Sequence, residues 1–375
     1  MKNKLLLVFI LFFTSCQIDK NNEKLQQLSI NPDNICEVSS SEIAQSISII
    51  PLETSDECLL GEICKICCLK NQIYISANSS IYIFDYKGKF IKKIYHKGNG
   101  PEEYIGLSDF QVTNSGNVLI FSDNNQKIYE YDSQDNCVNT IDLGFWALDM
   151  FLDNENLYFY LGNRMSEKGK YKIIQFSNGV KLNSFIKIDE KKAQYLNFLE
   201  NCNFSKYKNT NYFYEYFCDT IYQISQDTII KKYYFDFGDY KVPTRIFEKE
   251  YNDVREFVQS FDLENYAIGM NLFLETNENY FISYNLNRVS HYSIVNKTTN
   301  DVKNFVEIIE NTKLQDFPIK SNYSFIDKNL LIYAIDNSEI LDYSNSLSND
   351  RKSELLNNIS QDIEANPIIV IYELK

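Results

Sequence analysis

The sequence predicts an all-β fold, a six-bladed β-propeller, and three observations carry that expectation. Aromatic residues make up 15 % of the 375-residue chain, with 28 Tyr and 26 Phe against 12 Gly and 6 Pro. Aromatic and β-branched side chains fill a pleated surface well. Strand-like runs separated by turn residues then recur in groups of about 40 residues, the size of one four-stranded blade. Finally, one strand-like run near the N-terminus, Ser46–Leu52, belongs to no group, while the last group lacks a strand.

The first group comprises Glu62–Leu69, Gln72–Ala77, Ser80–Asp85 and Phe90–Tyr95. Four more run from Leu107 to Leu143, Phe145 to Ile188, Phe198 to Phe237 and Ile268 to Ile309. The register repeats at the third strand of each group. Ile83-Phe84-Asp85-Tyr86-Lys87-Gly88 has counterparts beginning at Tyr129, Ile174 and Tyr222. Each alternates apolar residues and ends in a polar turn, as a hairpin strand does. The sixth group is Tyr323–Asp327, Leu330–Ile335 and Pro367–Leu374. Pairing Ser46–Leu52 with that C-terminal group closes the ring and removes its open edges. A series of separate β-sandwiches leaves the spacing unexplained.

Two segments change period. In 244–261, Phe247, Tyr251, Val254, Val258 and Phe261 fall at helical spacing, with Thr244 placed to cap the N-terminus. In 347–363, Leu355, Leu356, Ile359 and Ile363 do the same, and Asn366-Pro367 ends the run. Antiparallel pairing within a blade puts the link to the next blade on the same face as the hairpin between its second and third strands. Both helical insertions therefore decorate one face, which becomes the candidate binding face.

Before the blades stand two other segments. Lys2 and Lys4 precede an apolar run, Leu5 to Phe13, too short to span a bilayer, and then Thr14-Ser15-Cys16. That order reads as a lipoprotein signal over 1–15, with Cys16 as the lipidated first residue of the mature chain. Residues 16–41 are polar and read as a flexible tether, leaving 42–375 for the propeller. The partner expected from this region is the membrane, reached through the lipid.

The net charge of −14 excludes nucleic acid as a partner, since no basic stripe offsets repulsion from phosphate. Of the nine Cys, Cys64-x-x-Cys67-Cys68 has metal-like spacing. It lies on a strand, however, where Cys64 and Cys68 share one face and Cys67 takes the other. With no His nearby and no second pair, these read as buried inert thiols.

Candidate ligand-binding residues fall on the decorated face. Gly98-Asn99-Gly100-Pro101-Glu102-Glu103-Tyr104 links blades one and two. Its amides can cradle an anion, or it is a tight turn that packs Tyr104. Tyr160-x-x-Asn163-Arg164 and Tyr284-x-x-Asn287-Arg288 place a scarce Arg at matching positions of blades three and five. Either Arg can grip a carboxylate or sulfate, or pair with surface acids. Asp109 and Asp149 begin the inner strands of blades two and three and are the candidates for a channel cation such as Ca2+. No other cofactor is expected. The two His, His96 and His291, lack a Ser or Cys partner in any recognisable arrangement, so no catalytic residue is assigned.

Several stretches together resemble the six-bladed β-propeller lipoproteins of Bacteroidota. They are Gly88-Lys89-Phe90-Ile91 leading to Gly98-x-Gly100-Pro101-x-Glu103-Tyr104, Cys218-Asp219-Thr220-Ile221-Tyr222, Phe237-Gly238-Asp239-Tyr240-Lys241-x-Pro243, and Asn366-Pro367-Ile368-Ile369-Val370-Ile371-Tyr372. The resemblance implies a propeller in the cell envelope and supplies no catalytic residues. Gln17 after the anchor Cys favours an outer-membrane lipoprotein. The expected function is a binding or scaffold module for a glycan, a peptide or an envelope protein. The alternative is a metal-dependent propeller enzyme of the lactonase or glycan-lyase type.

Overall fold

The computed structural model describes residues 25–165, 170–196, 203–225, 227–260, 265–320, 324–357 and 359–375. The signal, Cys16 and Cys202 lie outside them. Three strands precede the first blade: β1 (Gln26–Ser29), β2 (Val38–Ser39) and β3 (Ala44–Pro51), with a single helical turn α1 (Ser40–Ile43) before β3. Blade one is β4 (Ile63–Leu69), β5 (Gln72–Ala77), β6 (Ser80–Asp85) and β7 (Phe90–Ile94). Blade two is β8 (Asp109–Val112), β9 (Val118–Ser122), β10 (Lys127–Tyr131) and β11 (Cys137–Asp142). Blade three is β12 (Asp149–Asp153), β13 (Asn156–Tyr160), β14 (Tyr171–Ser177) and β15 (Val180–Lys187). Blade four is β16 (Phe204–Tyr207), β17 (Thr210–Phe213), β18 (Thr220–Ile224) and β19 (Ile229–Asp236), and β1 adds to it as a fifth strand, parallel to β19. Blade five is β20 (Ile268–Glu275), β21 (Asn279–Leu286), β22 (Val289–Asn296) and β23 (Val302–Phe305).

The count then departs from expectation: there are seven blades, not six. A short sixth blade consists of β24 (Glu307–Glu310) and β25 (Phe317–Lys320), completed by β2. The last blade holds β26 (Ser324–Asp327), β27 (Leu330–Ile335), β28 (Ile368–Leu374) and β3. The expectation merged Glu307–Ile309 into blade five because the third strand of the short blade, Val38–Ser39, comes from the segment read as a tether. That segment is likewise corrected, since β1 and β2 bind residues 26–39 to the ring.

Why the strands stack as blades is visible in their alternation. In β5, Ile73 and Ile75 pack toward the last blade while Tyr74 packs toward blade two. In β6, Tyr82 and Phe84 take the first side and Ile81 and Ile83 the second. A period of two thus feeds both faces of each sheet, and a strand buried on both faces reads as a continuous apolar run. The recurrent polar turn has a common cause. Asp85 Oδ1 accepts from the Lys87 and Lys89 amides at 2.8 and 2.9 Å, and Asp132 Oδ1 accepts from Gln134 and Asn136 at 2.9 Å each. These bonds hold the chain in a tight reversal.

Closure occurs between the chain ends. β28 pairs antiparallel with β3, with Ile368 opposite Pro51 and Tyr372 opposite Ile47. Asn366 holds the entrance to this pair. Its Nδ2 donates to the Glu53 and Cys58 carbonyls at 2.7 and 2.9 Å, and its Oδ1 accepts from the Leu60 amide at 2.8 Å.

The first predicted helix is two short ones, α2 (Thr244–Glu248) and α3 (Val254–Gln259). Thr244 makes no cap, whereas Asp253 accepts from the Glu256 amide and starts α3. Of the predicted stripe, Tyr251 is buried and Phe247 and Val258 half-buried beside Tyr195, Val254 is exposed and Phe261 lies outside the described residues; Ile246 and Phe257, which the stripe did not include, complete the cluster. The second insertion begins earlier than predicted, as α4 (Asn337–Ser344) and α5 (Asn349–Leu356), between β27 and β28. No helix among the described residues is long and apolar enough to cross a membrane.

Candidate functional site: a funnel on the ring axis

The inner strands β26, β4, β8 and β12 lie side by side, as do β16 and β20. Where they begin, on the face carrying the interblade links, a cavity of about 660 Å³ opens on the axis. We call this the upper face. Two irregular strands shape the cavity. In β4 the register slips between Ile63 and Lys65, which turns the Lys65 side chain to the axis. Bulges re-aim side chains in this way. In β20 the register slips between Ile268 and Leu272 and brings Asn271 to the wall. Gly269 permits this with φ +72, and a Cβ there would lie 2.0 Å from the Tyr216 ring. Gly269→Ala is therefore expected to destabilise the fold by about 2 kcal/mol, from left-handed strain and overlap together. Chemical denaturation measures it.

The floor of the funnel is an ion triad. Lys65 Nζ lies 2.7 Å from Asp109 Oδ1 and 3.7 Å from Asp149 Oδ1. Each carboxylate also accepts backbone amides of the ring. Asp109 takes Phe110 and Met150 at 2.7 Å each, and Asp149 takes Asn203 at 2.8 Å. Burial pushes the Asp109 carboxyl up to about 7; Lys65 opposes the shift and the neighbouring Asp149 adds to it. On the other side of the triad a smaller cavity of about 80 Å³ shares Lys65 and Asp149, and it opens at the lower face between Cys67, Cys68, Lys206 and Lys328.

This geometry corrects the cation assignment. Asp109 and Asp149 do converge, but the cation between them is the Lys65 ammonium. Among the described residues no group of three or more His, Cys, Asp or Glu is placed to hold a metal ion. The sequence carried a signal for this: Lys65 interrupts the otherwise apolar strand Ile63–Leu69. An unexpected charge in a doubly buried strand needs a partner.

The remaining candidates lie elsewhere on the upper face. Glu103 fills the glycine loop from within, its Oε2 accepting from the Gly100 amide at 2.8 Å. A Cβ at Gly98 would meet that same oxygen at 2.0 Å. Tyr104 is fully buried and donates to the Ser79 carbonyl at 2.8 Å. Asn99 stays in the turn beside them. Arg164 stacks over Trp146 at 4.2 Å, next to Asn163 in the loop after β13. Asn287 and Arg288, by contrast, are the two-residue hairpin tip between β21 and β22, with φ 54 and 60. The two Tyr-x-x-Asn-Arg stretches thus have different conformations, and none of these Asn or Arg residues lines the funnel.

Of the thiols, Cys67 and Cys68 are buried on opposite sides of β4 and burial raises both, Cys68 to about 12. Cys64 is exposed at the bulge rather than sharing the Cys68 face. His96 stacks on Tyr131 with Nε2 3.0 Å from Asp135, and His291 Nδ1 lies 3.0 Å from the Val289 carbonyl. A buried pair that the sequence reading missed, Lys172 with Glu215 at 2.6 Å, joins blade three to blade four, and Tyr160 donates to the same carboxylate at 3.2 Å.

Comparison with solved structures supports the architecture. An exported-protein candidate from Bacteroides fragilis is 20 % identical, with a TM-score of 0.72 over 94 % of this chain and 100 % of that one. A DUF4221 family member from Bacteroides vulgatus is 12 % identical, with a TM-score of 0.51 over 89 % of this chain and 98 % of that one. The comparison with curated proteins gives no match. A family model spans the seven blades and the closing strands together, over residues 25–373, so the chain belongs to the family described as a domain of unknown function, DUF4934.

Proposed function

We propose that this chain is a lipid-anchored binding module of the cell envelope, tethered at Cys16, that receives a small polar portion of a glycan or peptide in the axial funnel. The observation that carries this reading is the funnel itself. Its volume falls in the range of small-ligand sites, and its floor is closed by a triad whose groups satisfy one another. Asn271 offers an amide group to a ligand, Ser76 and Ser108 being engaged by the Lys65 carbonyl and by Asp123, while Glu62, Asp336 and Glu364 make the wall acidic. Such a wall favours neutral or cationic ligands over anionic ones. The Bacteroides fragilis protein of the same fold, named for export, fits an envelope location.

A glycan array and a peptide library probed with the intact chain test this. Binding is expected, and Asn271→Ala with Asp336→Ala should weaken it at least tenfold while the melting curve stays intact. A folded chain that binds neither library, or whose binding survives both substitutions, overturns the reading. The metal-dependent enzyme alternative has no observation in its favour, because the Lys65 ammonium occupies the place between the two carboxylates and no third His, Cys, Asp or Glu converges on them among the described residues.

A further inference from the structure

The ring has two unlike faces, and the described chain starts beside one of them. Gln26 lies against Tyr280, whose hydroxyl donates to the Gln26 side chain at 3.5 Å. Tyr280 pairs with Glu275 next to the β20–β21 hairpin, on the lower face. Nine Cα steps separate Cys16 from Leu25, and fully extended they span at most about 32 Å. A ring of this chain length is about 50 Å across. A lipid on Cys16 would therefore keep the lower side of blade four within about 32 Å of the bilayer.

Charge points the same way. Three of the hairpins joining first and second strands carry Lys-Asn at their tips: Lys70-Asn71, Lys208-Asn209 and Lys328-Asn329. Each Lys is exposed and held at positive φ, 48, 53 and 58. Gly or Asn fits that backbone region with less strain, so the tips keep a cation at a conformational cost. Glu155, Glu278 and the pair Lys313 and Asp316 stand on other tips of this face, and the hairpins between third and fourth strands add Lys87, Lys89 and Lys297 against Asp132, Asp135, Asp227 and Asp301, so the described hairpins of this face carry no net charge. On the upper face, Glu62, Asp336 and Glu364 surround the funnel mouth, and the chain as a whole carries −14. An anionic bilayer repels the acidic funnel face and tolerates the hairpin face, whose charges balance and whose Lys tips stand exposed.

We propose that the lower face, with its Lys70, Lys208 and Lys328 tips, rests on an anionic lipid surface, so that the funnel opens away from the membrane. This rests on the lipid anchor of the proposed function. The single Trp makes it testable, because Trp146 lies in the link between β11 and β12, on the upper face, bonded to Asp123 at 3.1 Å. The lipidated full chain is reconstituted into phosphatidylethanolamine–phosphatidylglycerol vesicles that carry a headgroup spin label. Trp146 fluorescence should be nearly unquenched. A Trp146→Phe/Asn329→Trp variant, which moves the indole to a lower tip and keeps all three lysines, should be quenched several-fold more. Stronger quenching of Trp146, or equal quenching of both, overturns the orientation while the anchor reading stands. A mass measurement that finds no acyl chains on Cys16 overturns the anchor and the orientation with it.

Discussion

Deleting residues 367–375 is expected to abolish cooperative folding rather than merely weaken it. β28 is the third of four strands in the last blade and pairs with both β27 and β3. Its loss would leave β3 without a partner strand and open the edge of β27. The strand also feeds two core clusters: Ile369 and Ile371 pack toward blade one, and Ile368, Val370, Tyr372 and Leu374 pack the other way. Burying each such side chain contributes about 1.5–3 kcal/mol. Six of them amount to about 9–18 kcal/mol, which meets or exceeds the whole stability of a typical domain. The truncated chain should show no thermal transition in near-ultraviolet circular dichroism and should be cleaved rapidly by protease. Retention of a sharp transition would mean that closure by the chain ends is dispensable.

The residues involved in closure were legible in the sequence because strong local signals agreed there. Ser46–Leu52 alternates, Pro367–Tyr372 is a continuous apolar run, and neither had a local partner. The short blade was not legible. Val38–Ser39 is too brief for any periodicity, and its partner β24 lies some 270 residues away. Pro318 within β25 further weakens the strand pattern, although β25 is an edge strand, where proline is tolerated. The helical stripe at 244–261 predicted part of the buried set, Tyr251 with half-buried Phe247 and Val258, but missed Ile246 and Phe257, turned exposed Val254 inward and gave the wrong continuity. Packing against Tyr195 fixes which side chains turn inward, while the Asp253 cap, a matter of one residue, decides where the helix breaks.

The funnel was half legible for a related reason. Asp109 and Asp149 stand at equivalent strand starts, and equivalence in a repeat implies proximity around the axis. What a repeat cannot encode is a departure from itself. Lys65 and Asn271 reach the axis through register slips in β4 and β20, which depend on backbone geometry rather than composition. The Glu103 carboxylate in its glycine loop is a similar case, because the same spacing serves an external anion or an internal one.

Lys65→Met is expected to cost about 3–5 kcal/mol, the usual penalty for removing one partner of a buried ion pair. Two carboxylates would then face each other in the ring axis without their cation. The pH dependence gives the sign. The Asp109 carboxyl titrates near 7 in the folded protein against 3.8 when unperturbed, so the native state retains a proton that the unfolded chain releases. Its contribution to stability is full below about pH 4 and is lost as pH rises through 7, after which the loss levels off. Half-buried Asp219, raised to about 6, acts in the same direction, so the difference between variant and parent is the informative quantity. Without the Lys65 ammonium, which lowers the Asp109 value, the window extends upward, and Lys65→Met should go on losing stability above pH 7 where the parent has levelled. Adding Asp109→Asn and Asp149→Asn to the variant should recover most of the loss and flatten the difference. Urea unfolding at pH 5, 7 and 9 measures all three chains. Parallel profiles for Lys65→Met and the parent, or a cost under about 1 kcal/mol as for an exposed pair, would show that the triad is solvated and that water, not a sealed floor, fills the axis of the ring.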